Sequence, residues 1–190
     1  MKTKSLLILT AIVLTALFFC HSASATDKGY GSGIVYGPSA AFIIVAPTGW
    51  ILDTESGRRY ELPAVLYPDG SSFDGPLVMY VNNVEKKYQK AKNLDDFIGE
   101  EIHRFRINHP GIEIKDRTSL KISNGKHTVV KEFSGDKWEN YEAVAYLEEA
   151  KTFTSFTLSS KTKNEYMQSL KAFENFINSY EFITDDINIK

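Results

Sequence analysis

The sequence predicts an α+β fold, in which helices pack on an antiparallel sheet. Three observations predict it. Apolar residues recur at helical spacing in two segments, Leu94, Phe97, Ile98, Ile102 and Phe105 in one and Tyr166, Leu170, Phe173 and Ile177 in the other. Between them lie four consecutive stretches with strand composition, Ile112–Ile122, Thr128–Phe133, Tyr141–Leu147 and Phe153–Leu158. The first two are joined by Asn124-Gly125, a strong hairpin signal because both turn residues must accept positive φ.

The elements follow in order. Residues 1–25 read as an export signal: Lys2 and Lys4 give a positive start, Leu6–Phe19 an apolar run, and Ala23-Ser24-Ala25 a small-x-small cleavage site after Ala25. The run of 14 residues is shorter than the ~20 that a membrane-spanning helix needs. Cys20 follows Phe18-Phe19, a poor context for lipidation, and leaves with the signal. Residues 26–39 are expected to hold a flexible leader and a first short strand. A single domain is expected over 40–183 and a frayed tail over 184–190.

Within that domain Ala40–Ala46 is a continuous apolar run, as in a strand buried on both faces, and it stops at Pro47. Thr48-Gly49 turns the chain into Trp50–Asp53. Residues 54–75 are irregular, punctuated by Gly57, Pro63, Pro68, Gly70 and Gly75, with a short strand at Ala64–Tyr67. Leu77–Val84 is a further strand. Asn93 caps the first helix, with Asp95 and Asp96 in its first turn, and His109-Pro110-Gly111 ends it. Ile112, Ile114, Thr118, Leu120 and Ile122 occupy alternate positions, the mark of a half-buried strand. Thr162 and Glu165 form a capping box for the last helix.

Composition excludes several classes of function. The sequence carries 22 basic and 24 acidic side chains, and removal of Lys2 and Lys4 with the signal brings the net charge from −2 to −4. Such a surface favours solubility and offers no electrostatic footprint for nucleic acid or anionic lipid. A mature chain without cysteine has no thiol nucleophile, redox pair, thiolate metal site or disulfide. Its core alone must hold it, and a domain near this size buries about 70% of its unfolded surface.

Several segments together resemble the Mog1/PsbP-like fold family, specifically an exported bacterial branch of unassigned function. They are the strand-Pro-Thr-Gly-Trp start from Phe42 to Trp50, the YPDGSSF segment from Tyr67 to Phe73, the strand Glu142–Leu147, and the Phe-rich helix ending at Tyr180. The resemblance implies an α/β/α sandwich and a non-enzymatic accessory or binding role. The family's characterised members are an extrinsic photosystem subunit and a nuclear-transport factor that binds a small GTPase.

Glu100 and His103 share a helix face in the manner of carboxylate-bridged metal helices, but no second copy of the motif exists and the face points away from the apolar stripe. His127 follows the hairpin turn and is expected at the surface. No Gly-x-Ser-x-Gly elbow, phosphate-binding glycine loop or EF-hand spacing is present. Asp95/Asp96 read as helix-capping acids, Glu148/Glu149 as a solvated turn and Asp185/Asp186 as part of a mobile tail. No cofactor, metal or catalytic set is therefore expected. One group stands out as a binding site: Trp50, Asp53, Tyr60, Tyr67, Ser72 and Phe73, with Asp69, gathered in or beside the irregular segment. Aromatic rings beside hydroxyl and carboxylate groups suit a partner peptide or a sugar, although Trp50 and Tyr67 equally suit plugs for the end of a sheet.

The expected function is an exported, periplasmic or secreted, non-enzymatic accessory or binding protein. Its partner would be an envelope or extracellular protein, with no stable membrane insertion after cleavage. Two alternatives stand beside it. One is a periplasmic hydrolase using polar residues of 53–75; the other is a binder of a small ligand or carbohydrate.

Overall fold

The computed structural model describes residues 31–187. The signal segment with its cleavage site, residues 26–30 of the expected leader and residues 188–190 lie outside the described residues. Seven strands form one antiparallel sheet: β3 (Trp50–Asp53), β4 (Ala64–Pro68), β5 (Leu77–Glu85), β6 (Glu113–Arg117), β7 (Val129–Ser134), β8 (Tyr141–Glu148) and β9 (Thr152–Ser160). Their order across the sheet is β3-β4-β5-β9-β8-β7-β6. A smaller antiparallel sheet has the order β1-β2-β10, from β1 (Ser32–Tyr36), β2 (Ala41–Val45) and β10 (Glu181–Thr184). The helices are α1 (Leu94–Asn108) and α2 (Lys163–Asn178).

Each helix starts where its cap places it. Asn93 Oδ1 accepts the Asp96 N–H at 2.9 Å, and Thr162 Oγ1 accepts the Glu165 N–H at 3.2 Å while donating to Glu165 Oε2 at 2.7 Å. The two helices cover opposite faces of the large sheet and seal two separate cores. Under α2, Leu170, Phe173, Phe176 and Ile177 meet Met79, Val81, Phe156 and Leu158, and Phe42 and Ile44 of the small sheet close the same core. Phe156 stands edge-on to both Phe176 and Tyr180, at 5.5 and 5.2 Å between ring centroids. Under α1, Phe97 stacks on Phe153 at 4.6 Å, beside Ile98, Phe133, Val144 and Tyr146. Strand β9 serves both cores by alternation, with Phe153 on the α1 side and Phe156 and Leu158 on the α2 side.

Four expectations about local structure are corrected. The apolar run Ala40–Ala46 is the middle strand of the small sheet rather than a strand buried on both faces. Phe42 and Ile44 turn into the core, whereas Val45 turns outward. The start of the expected frayed tail is held in place, because Glu181–Thr184 pairs with β2 and Asp185 accepts the Lys151 N–H at 2.8 Å. The alternating residues Ile112–Ile122 do not make one strand. Strand β6 stops at Arg117, Ile114 packs under α1, and Leu120 and Ile122 join the α2 core, so the chain crosses the sheet edge between them.

The Asn124-Gly125 turn, finally, needs only one positive φ. Gly125, at φ 89°, donates to Ile122 O at 2.9 Å, and the Ile122 N–H donates to Lys126 O at 2.9 Å. This is a three-residue hairpin loop with glycine in the left-handed position, not the two-residue mirror turn.

Candidate functional site

The segment 54–62 folds back over the outer face of β4. Gly57 makes this possible: a Cβ there would lie 2.7 Å from Val65 Cγ1 and 2.9 Å from the Leu62 carbonyl. The chain then enters a short 3-10 turn at Arg58–Tyr60 and leaves through Glu61 at φ 60°.

At the head of this segment Asp53 is fully engaged. Its Oδ1 accepts the Glu55 and Ser56 N–H groups at 2.7 and 3.0 Å, and its Oδ2 accepts the Ser56 and Tyr67 hydroxyls at 2.6 and 2.9 Å. Burial alone would raise its pKa. The four donors outweigh that and hold the carboxyl at about 2. The Tyr67 hydroxyl is pushed up, first by burial and then by its bond to that carboxylate.

The other expected site residues have three different fates. Tyr60 and Phe73 meet edge to face at 5.9 Å, the Arg59 guanidinium lies 4.8 Å from the Tyr60 ring centroid, and Arg59 pairs with Asp74. Tyr60 is 57% exposed, so the group forms a surface ledge. Trp50, in contrast, is buried in the α2 core, where it plugs the end of the sheet. Ser72 and Asp69 are exposed, and neither is among the donors to Asp53. The structure thus joins Asp53 with Tyr67 and Tyr60 with Phe73, and it separates Trp50 from both.

A second constellation escaped the sequence reading. His109, which ends α1, is 7% exposed and packs 4.7 Å from the Trp138 ring. Phe105 lies against Phe133 at 4.9 Å alongside it. The Ser134–Asn140 loop that brings Trp138 there is organised by Asp136, which accepts the Trp138 and Asn140 N–H groups at 3.1 and 2.8 Å and the Asn140 amide at 3.1 Å. Together with Tyr80 and Glu142 these residues line a cavity of about 200 Å³. Burial raises the Glu142 pKa, partly offset by the Ser159 hydroxyl donating at 2.8 Å; burial also pushes up Tyr80. Among the described residues, His109 Nδ1 has no hydrogen-bond partner. A tryptophan and a carboxylate flanking an otherwise polar loop were the available signal.

Other acids depart from expectation too. Glu149 is buried and pairs with Lys126, and Glu148 accepts from Lys86 Nζ at 2.6 Å and from the Leu94 N–H at 3.2 Å. These are structural anchors rather than a solvated turn. His103 and His127 are exposed as expected. Among the described residues no group of three metal-ligating side chains converges, and no helix is long and apolar enough to cross a membrane. The outward face of the small sheet displays Ile34, Tyr36, Val45 and Ile183, each between 40% and 64% exposed.

No family model matches the chain, and no curated protein sequence matches it. Solved structures do. The cyanobacterial PsbP (CyanoP) from Synechocystis sp. PCC 6803 aligns with a TM-score of 0.53 and 13% identity over 88% of this chain and 99% of its own. LpqN of Mycobacterium tuberculosis, described as involved in cell envelope biogenesis, aligns with a TM-score of 0.51 and 16% identity over 81% and 91%. The Saccharomyces cerevisiae Ran-binding protein Mog1p aligns at 0.47 and 13% identity over 80% and 95%, too loosely to bear weight. The chain has the PsbP-like fold, in keeping with the sequence resemblance.

Proposed function

We propose that this is an exported, non-enzymatic binding protein that acts through protein–protein contacts at the Arg59–Tyr60–Phe73 ledge. The observation that carries the reading is how the segment spends its functional groups. The Asp53 carboxylate, which a hydrolase would need as a base, is filled by four intramolecular donors. What remains on display is an aromatic ring with a guanidinium over it, and Tyr and Arg are residue types that dominate binding energy at protein interfaces. The charged start, apolar run and cleavage pattern of residues 1–25 support export. LpqN, which shares the fold, is described as involved in cell envelope biogenesis, in keeping with an envelope role.

The test is site-specific crosslinking in the native host. A photoreactive residue replacing Tyr60 should give one discrete protein adduct that Phe73→Ala removes. The same residue replacing Tyr88, exposed elsewhere on the surface, should not give it. Equal labelling from both positions rejects the ledge as an interface. An ester- or glycoside-hydrolysing activity abolished by Ser72→Ala at unchanged melting temperature would replace the reading with the hydrolase.

A further inference from the structure

The cleft where α1 ends is independent of the ledge, and its chemistry is that of a ligand site. We propose that it binds an alkylammonium group, carried either by a small free amine or by the lysine side chain of another protein.

Four features select this ligand. The first is size: at about 30 Å³ per water-sized atom, a cavity of about 200 Å³ holds roughly six or seven non-hydrogen atoms. That suits a four-carbon amine or the end of a lysine. The second is the wall, built from Phe105, Phe133 and Trp138, whose ring faces attract cations. Trp138 already serves one in this way, since Lys137 Nζ lies 4.3 Å from its ring centroid on an exposed side chain free to swing aside.

The third feature is the Glu142 carboxylate. Ser159 holds one of its oxygens, and burial disfavours its charge, so a cation entering the cleft would relieve that cost. Lys161 bonds to the Trp138 carbonyl at 3.3 Å and reaches Glu142 only through longer-range attraction. The fourth is the unpartnered His109 Nδ1, which in the neutral imidazole can accept an N–H from the ligand. Anions meet Glu142 and Asp136 and are repelled.

The test titrates the purified protein with n-butylammonium, 1-butanol and butyrate, following the backbone amide resonances of the Ser134–Asn140 loop that lines the cleft. Saturable binding of butylammonium is expected, with butanol and butyrate at least ten-fold weaker. Glu142→Gln should weaken butylammonium at least ten-fold, and Trp138→Leu, at a residue 53% exposed, should do the same with the melting temperature recorded alongside. Butanol binding as tightly as butylammonium, or both variants binding unchanged, overturns the proposal. Nα-acetyl-lysine methylamide separates the sources: tighter binding than butylammonium identifies a protein lysine, and equal or weaker binding a free amine.

Discussion

Replacing Asp53 by Asn separates a structural carboxylate from a catalytic one. The folded state holds this carboxyl at about 2 against an ordinary value of 3.8. At 1.36 kcal/mol per pH unit that difference corresponds to about 2.5 kcal/mol. The side chain is substantially solvent-screened, so about 1 kcal/mol is the realistic contribution. The sign follows from a lowered folded-state pKa. The contribution is complete above about 4 and is lost as the pH falls through about 2. In urea denaturation at pH 6, Asp53→Asn should therefore lose about 1 kcal/mol, or ~2–4 °C in melting temperature for a domain of this size. At pH 2 the gap from the native protein should shrink to a few tenths of that. Tyr67→Phe should lose part of the same energy, and the double variant less than the sum, because the two share one hydrogen bond. A gap that is equally large at pH 6 and pH 2 would refute the reasoning, since the lost energy would then have nothing to do with a charged acceptor.

Other perturbations test the packing. Gly57→Ala should cost about 1–3 kcal/mol by urea denaturation, because the new methyl meets the Val65 side chain and a rigid backbone carbonyl. Phe156→Ala, at the centre of the α2 core, should cost about 3–5 kcal/mol by the same measurement. Lys126→Met should cost about 1–3 kcal/mol by taking the half-exposed ammonium away from the buried Glu149 carboxylate, whereas Lys126→Met with Glu149→Leu should recover most of it. Ile34→Lys, on the outward face of the small sheet, should change stability by no more than about 0.5 kcal/mol.

The elements were legible where one face of one element decides the pattern. The α1 stripe from Leu94 to Phe105 and the α2 stripe from Tyr166 to Ile177 pack as their spacing requires, and both caps bond as their residue types predict. Legibility failed where a partner distant in sequence decides. Glu181–Thr184 becomes a strand only because β2, some 140 residues earlier, offers a free edge. The alternation Ile112–Ile122 is real, but the two ends serve different cores, which a period cannot reveal. In the site, the loop chemistry of Asp53 was visible while its saturation was not, since that depends on Tyr67 arriving from β4. His109 looked like a helix terminator because only the Ser134–Asn140 loop, folding over it, turns it into a buried group.

The two faces of the large sheet explain why the cleft lies where it does. On the α2 face, Thr154, Phe156 and Leu158 of β9 are closed over by helix and small sheet, and nothing there can open without breaching the main core. On the opposite face α1 reaches Phe153, Val144 and Tyr146, but further along β9 the same row continues as Ser155, Thr157 and Ser159. Polar residues occur on a buried sheet face only where something satisfies them. Here Ser159 bonds to Glu142, and Glu142 lines the cavity beside Tyr80. The helix thus stops where the sheet turns polar. The side chains beyond its end are arranged to meet a polar group from outside the chain rather than a further turn of helix.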